Sequence, residues 1–281
     1  VDSFLPSPEE RKDRPLSFGA AALWTLVALF LYAFFVGMTN SMREGALFDP
    51  VSRTGCQALA YALVFFGILR FHEPEASIRR VLALRMPPVL AILLAIAVGA
   101  ALALPSDMLD DVLDAHFPRP ERDQEALDRL FAATTVGKRV ALVVTLVVVQ
   151  PVLDELFFRG ALFTPLRRTR RPEMVVLATA AFETLGMLSP RDVVAFLAAS
   201  LVFAWMRSAT GSVFPSMLAR IAFFGAVNVP IALGYAVRPT KIWFVASAAV
   251  AVLGLFGLAA QSRCDRRILE ARLEDGRCSA P

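Results

Sequence analysis

Imidazole is nearly missing from this chain: of 281 residues only His72 and His116 are histidine, and none follows position 116. The second half therefore lacks the side chain that general-base chemistry most often uses near neutral pH. Cysteine is scarce as well. Cys56, Cys264 and Cys278 are odd in number and show no C-x-x-C spacing, which argues against a disulfide framework or a cysteine zinc site. The run Cys278-Ser279-Ala280-Pro281 has small, not aliphatic, middle residues, which sets it apart from a prenylation box. Charge is sparse, at 19% Asp, Glu, Lys and Arg with a net of +4. The arginines lie between apolar blocks instead of on one basic face, so nucleic acid is not the implied partner.

What is abundant is apolar. Hydrophobic residues make up 57% of the chain and the mean hydropathy is +0.58, whereas soluble domains hold about 45–50% apolar residues. The excess is gathered into long blocks, the pattern of a chain whose solvent is a bilayer. Residues 1–16 read as a polar N-terminal tail. Residues 17–105 hold three spans, at 17–38, 55–71 and 87–104. In 106–138, aspartates and glutamates alternate with leucine and phenylalanine, which predicts an amphipathic segment at the membrane surface, broken by Pro118 and Pro120. Residues 139–260 hold about five more helices, at 140–166, 174–188, 193–206, 213–235 and 242–260, with Pro151 expected to kink the first of them. Ser189-Pro190-Arg191 reads as a short turn, Gly211 and Pro215 as a helix boundary. Residues 261–281 form a basic tail. The class is an all-α, polytopic transmembrane helix bundle of about eight spans, surrounded by membrane lipids.

Eight spans put both ends on one side. Setting aside Arg159 and Arg220 as intramembrane, that side carries 17 Lys and Arg against 10 opposite. The asymmetry places both ends in the cytoplasm, and the expected setting is a bacterial cytoplasmic membrane.

Five charges fall within or beside the apolar helices of the second half: Asp154, Glu155, Arg159, Glu183 and Arg220. A charge at the centre of a span costs about 2.5–3.5 kcal/mol on insertion scales, so such residues pair or face a polar cavity. Glu155 and Arg159 are four apart and share a helix face. Asp154 points about 100° away from Glu155 and can address another helix. For Glu155 and Arg159 alone, a structural ion pair and a functional site are both open readings.

The stretch Pro151-x-x-Asp154-Glu155-x-x-Phe158-Arg159-Gly160 resembles the first motif of the CPBP family, the glutamic intramembrane proteases related to CAAX prenyl endopeptidases and bacteriocin-processing proteins. That motif is usually P-x-x-E-E-x-x-F-R-G. The family's FxxxH aligns with Phe182-Glu183-Thr184-Leu185-Gly186. Its HxxxN aligns with Arg220-Ile221-Ala222-Phe223-Phe224, on the lead-in Thr210-Gly211-Ser212-Val213-Phe214-Pro215. The resemblance covers about residues 140–235. It implies an intramembrane peptidase fold, no cofactor, no metal, and a membrane-anchored or lipidated peptide or protein as partner.

In that family the first Glu and the motif-two His activate a water, while the motif-three His and Asn polarise the carbonyl. Here the four positions are Asp154, Gly186, Arg220 and Phe224. Aspartate keeps the charge on a shorter arm. Glycine does no acid–base work, arginine is a permanent cation, and phenylalanine offers no donor. Asn228, one turn further on, is a nearby amide. Losing an oxyanion donor costs about 10²–10³ in rate and a general base about 10²–10⁴. Two readings follow from the resemblance. One is a non-catalytic pseudoprotease that keeps the fold, with Phe182, Gly186, Phe224 and Asn228 lining the old substrate cavity. The other is a working peptidase in which Asp154 and Glu183 share a proton across two helices. A transporter-like role lacks the duplicated half it would need.

Overall fold

The computed structural model describes residues 15–121, 125, 135–187, 189–233 and 241–278, with no side-chain detail for 190, 241, 242, 262 or 264–278. Most of the polar N-terminal tail, the stretch 122–134 of the amphipathic segment apart from Glu125, and the side chains of the basic tail beyond 263 lie outside the described residues. Those residues form an all-α bundle: α1 (Phe18–Met42), α2 (Pro50–His72), α3 (Ile78–Val81), α4 (Val89–His116), α5 (Val136–Thr169), α6 (Pro172–Thr184), α7 (Pro190–Thr210), α8 (Val213–Ala232) and α9 (Lys241–Cys278).

Local chemistry sets many of the starts. The Ser17 hydroxyl accepts from Ala20 N at 3.1 Å and Thr135 from Lys138 N at 3.3 Å, each serving an otherwise orphaned amide. Proline occupies the first turn of α2, α6 and α7, where its missing N–H costs nothing. Ser189-Pro190-Arg191 therefore opens α7 instead of making a free turn. Gly211 ends α7 with φ +69°, a left-handed cap that a Cβ would penalise, and Pro215 falls within the first turn of α8.

Seven of these helices are long and apolar enough to cross a membrane, and the chain is a multi-pass integral membrane protein. Their outward faces carry exposed Phe30, Phe34, Phe66, Leu253 and Phe256, the surface of a protein solvated by hydrocarbon. The sequence suggested an eighth span at 174–188. The helix found there, α6, has only 13 residues, about 20 Å of rise against a core of about 30 Å.

The chain nevertheless passes between the two ends of the bundle along α6. At one end Arg168 pairs with Glu73 at 2.7 Å, Arg170 lies over Phe18, and the Ser212 hydroxyl donates to Arg85 O at 2.5 Å. At the other end Arg191, leading α7, pairs with Asp110 at 2.9 Å and with Asp114. Since α6 starts at the first end and α7 at the second, α6 and the residues after it make the crossing. Within α6, Glu183 meets Ser200 of α7, the middle of that helix, so α6 stops part-way through the bundle. Non-helical backbone at such depth is tolerated where protein buries it or a cavity adjoins it.

The acidic stretch after residue 105 differs from its expected form. Pro105 does not end α4, which runs on to His116. At 28 residues the helix is about 42 Å long, so its aspartate-rich end overshoots the hydrocarbon. Membrane helices accommodate an internal proline because neighbours re-satisfy the freed carbonyl.

Two apolar clusters flank the centre. One joins Ala21, Ala28, Val64, Ile68, Phe157, Phe158, Leu162 and Val175. The other joins Ala91, Ala95, Val98, Phe203, Met206, Ala219 and Phe223. Within the second, a methyl group on Gly99 would overlap the Ala219 carbonyl, so the α4 and α8 backbones touch there, as small residues permit in membrane helices.

Candidate functional site

The fourth long helix, α5, is not a uniform α-helix. Residues Val144–Val149 and Glu155–Leu162 are π-helical, on either side of the short α-helical stretch Gln150–Asp154 that contains Pro151. Such widened turns recur at functional sites. Glu155 and Arg159, in the second one, and Asp154, just before it, lie on the inward side, and all three are buried. The neighbouring helices complete the constellation with Glu183 at the end of α6 and Arg220 in α8, so the five intramembrane charges picked out in the sequence come together.

They form a closed ring. Arg159 Nε lies 3.6 Å from Glu155 Oε1, and its NH1 donates to Glu183 Oε2. Arg220 NH1 donates to Glu155 Oε1 at 3.0 Å, and its NH2 pairs with Glu183 Oε1. The two glutamates thus each touch both arginines. Asp154 joins from outside the ring: its Oδ2 is 3.4 Å from Arg220 NH2, while Gln57 and Tyr61 of α2 donate to its Oδ1 at 2.7 and 3.3 Å. Ser200 of α7 completes the enclosure, its carbonyl and hydroxyl oxygens accepting from Arg159 NH2 at 2.8 and 2.6 Å while the hydroxyl donates to Glu183. Relative exposure is 0% for Glu155 and Arg159 and 1% for Arg220. Charges so far from water persist only when each is matched by partners of opposite sign and by hydrogen bonds.

Three carboxylates face two guanidinium groups in this cluster, and a third arginine stands close by. Arg207, which the sequence placed among the side-determining charges, is buried. Its Nε donates to Arg159 O at 3.0 Å, its NH2 to Thr164 Oγ1 at 3.2 Å, and its guanidinium lies over Phe163. Gln57, Tyr61, Ser200 and Arg207 were not picked out beforehand. Arg207 alone left a signal, a cation inside the last turn of an apolar helix.

A cavity of about 1010 Å³ adjoins the ring, reached by Gly186 and Met187 after α6, by Phe196 and Phe203 of α7 and by Phe224 of α8. Of the charged cluster and its direct partners, only Ser200 and Arg220 line it. The Arg220 guanidinium sits 5.6 Å from the ring centroids of Phe196 and Phe203 and 5.8 Å from that of Phe224, an aromatic collar that favours the cation. Chemically this floor donates hydrogen bonds and accepts no proton. Among the described residues, no group of three or more His, Cys, Asp or Glu side chains is arranged to hold a metal ion.

The residues expected to line a substrate cavity divide. Gly186 and Phe224 do line it. Phe182 packs instead against the apolar cluster around Phe157 and Val175. Asn228 turns its amide back to Phe224 O at 2.9 Å. Gly186 is outside α6, which ends at Thr184, so it does not share a helical face with Glu183. A side chain built on it would run into Leu29 of α1 at 2.9 Å.

Comparison with known proteins gives one family. Residues 136–225 match the model of the Rce1-like type II CAAX prenyl endopeptidases. The matched segment runs through all three aligned motif regions, from Asp154 to Phe224. No curated protein and no solved structure matches the chain.

Proposed function

Residues 136–225 of this membrane protein are a Rce1-like type II CAAX prenyl endopeptidase family domain, and from that premise we propose that the chain is a non-catalytic pseudoprotease with a binding, scaffold or regulatory role. The family's name points to prenylated CAAX proteins as substrates, and on this reading a lipidated peptide or protein is held in the cavity without being cleaved. The observation that carries it is the identity of the cavity floor. Where a hydrolase needs a base facing the substrate water, the ring presents Arg220 and the Ser200 hydroxyl. Of the ring's own carboxylates, Asp154 and Glu183 are both paired with Arg220.

The experiment offers prenylated CAAX peptides to the purified protein and follows both retention and cleavage by mass spectrometry. Retention without cleavage is expected. Specific cleavage that disappears in Asp154→Ala or Glu183→Ala would overturn the proposal in favour of a paired-carboxylate peptidase. The same reading sets the start of α1 and the far end of α9 in the cytoplasm. Eight passages between the bundle ends and the arginine-rich first end support this. Reporter fusions at the two ends test it, and opposite sidedness would refute it.

A further inference from the structure

A second cavity, of about 470 Å³, shares no lining residue with the first and opens between the end of α5 and helices α6, α7 and α9. Its inner wall is apolar, built by Val176 and Leu177 of α6 and Leu201 of α7. Its rim carries Arg167 and Arg263, from α5 and α9. These arginines stand at matching depth. Arg167 is two residues before the end of the candidate span Val136–Thr169, and Arg263 two residues past the end of Trp243–Gln261. Both therefore sit where hydrocarbon gives way to headgroups.

Three neighbouring arginines of this end are committed elsewhere. Arg168 pairs with Glu73, Arg170 lies over Phe18, and Arg207 is buried against Arg159 O. Arg167 makes one long bond to Arg170 O at 3.3 Å, and among the described residues neither it nor Arg263 has an ion-pair partner. One acid, Glu173, also lines the groove and pairs with neither, so the rim keeps a net positive charge. Trp205 and Ser208 complete the lining. An indole at this level is the side chain that favours the membrane interface, and a hydroxyl in a groove that also carries two guanidinium groups is a further donor for phosphate oxygens.

We propose that this groove is a binding site for an anionic phospholipid, its phosphate held between Arg167 and Arg263 and an acyl chain laid along Val176, Leu177 and Leu201. Basic pockets between helices at the membrane surface hold such headgroups. The apolar wall selects a lipid over a free anion, because a soluble phosphate leaves that wall unfilled. The site lies outside the cavity used in the functional proposal and stands whether or not the chain cleaves anything.

Native mass spectrometry of the full chain tests it, with phosphatidylglycerol, phosphatidylcholine and soluble glycerol phosphate offered in parallel. Retention of phosphatidylglycerol over phosphatidylcholine is expected. Each arginine near a membrane surface contributes about 1 kcal/mol, roughly fivefold, so Arg167→Ala/Arg263→Ala should weaken retention by about thirtyfold. Arg167→Lys/Arg263→Lys should keep most of the preference. Ser208→Trp, which fills the groove and leaves both charges, should also lose the lipid. Equal retention of the two lipids, unchanged retention in the double alanine variant, or equal binding of glycerol phosphate would each overturn the proposal.

Discussion

Arg159 and Arg220, on different helices, are bridged by the same two carboxylates, with Glu155 and Glu183 each touching both guanidinium groups. Two like charges are held near each other in a buried site, and the shared glutamates make that arrangement stable. Neither arginine is replaceable alone.

Arg220→Ala should therefore be among the most damaging changes in the protein. It leaves buried carboxylates facing one guanidinium, and breaking such a pair by removing one partner costs about 3–5 kcal/mol. Thermal unfolding in mild detergent measures it. Adding Glu183→Gln to Arg220→Ala should recover part of the loss, the non-additivity expected of residues in one network. Arg220→His should create no peptidase activity, since Phe224 and Gly186 still stand at two other motif positions.

Ser200→Ala removes hydroxyl contacts to Glu183 and Arg159 and leaves charged groups short of a partner. A loss of about 1–3 kcal/mol follows from the cost of an unsatisfied buried polar group. Ser200→Thr, which keeps the hydroxyl, should lose less. Equal losses in the two variants would show that packing, not the hydrogen bonds, matters at this position.

Asp154 gives a paired comparison. Gln57 donates to it at 2.7 Å and Tyr61 at 3.3 Å. Gln57→Leu should destabilise more than Tyr61→Phe, which keeps the ring stacked on Phe157 at 4.2 Å. The same unfolding assay orders them.

Gly99→Leu separates the α4 and α8 backbones. Overpacking typically costs about 1–3 kcal/mol, and here the overlap is with the Ala219 main chain, which has no rotamer to yield. Ala219 is the residue before Arg220, so the ring should loosen as well. Faster hydrogen exchange in the α5 segment around Arg159 would register that loosening, and unchanged exchange there would show that the contact does not position the ring.

The five ring residues were legible in the sequence for an energetic reason. A charge in an apolar helix is too costly to stand alone, so Asp154, Glu155, Arg159, Glu183 and Arg220 had to find one another. Their partners were not legible, because Gln57, Tyr61 and Ser200 are ordinary polar residues whose role depends on which helix they face. Arg207 was misassigned because it lies three residues from the end of α7, where a long side chain can equally reach outward or inward. The bundle itself was legible from its apolar blocks, but two boundaries were not. An apolar run at 174–188 does not reveal that its helix stops at Thr184, and the acidic residues after 105 do not reveal that α4 runs on to His116 past Pro105, with Ser247 donating to the Ala101 carbonyl that the proline frees.

The early end of α6 bears on how the chain is made. A thirteen-residue helix with a carboxylate one residue from its end has little tendency to leave an aqueous conduit for lipid by itself. Its passage depends on α7, which supplies both the length and, through Ser200, the hydrogen bond that Glu183 needs. The pair is best regarded as one unit of biosynthesis that enters the bilayer as a hairpin. A truncation halting translation before α7 should leave α6 stranded on the side where it began.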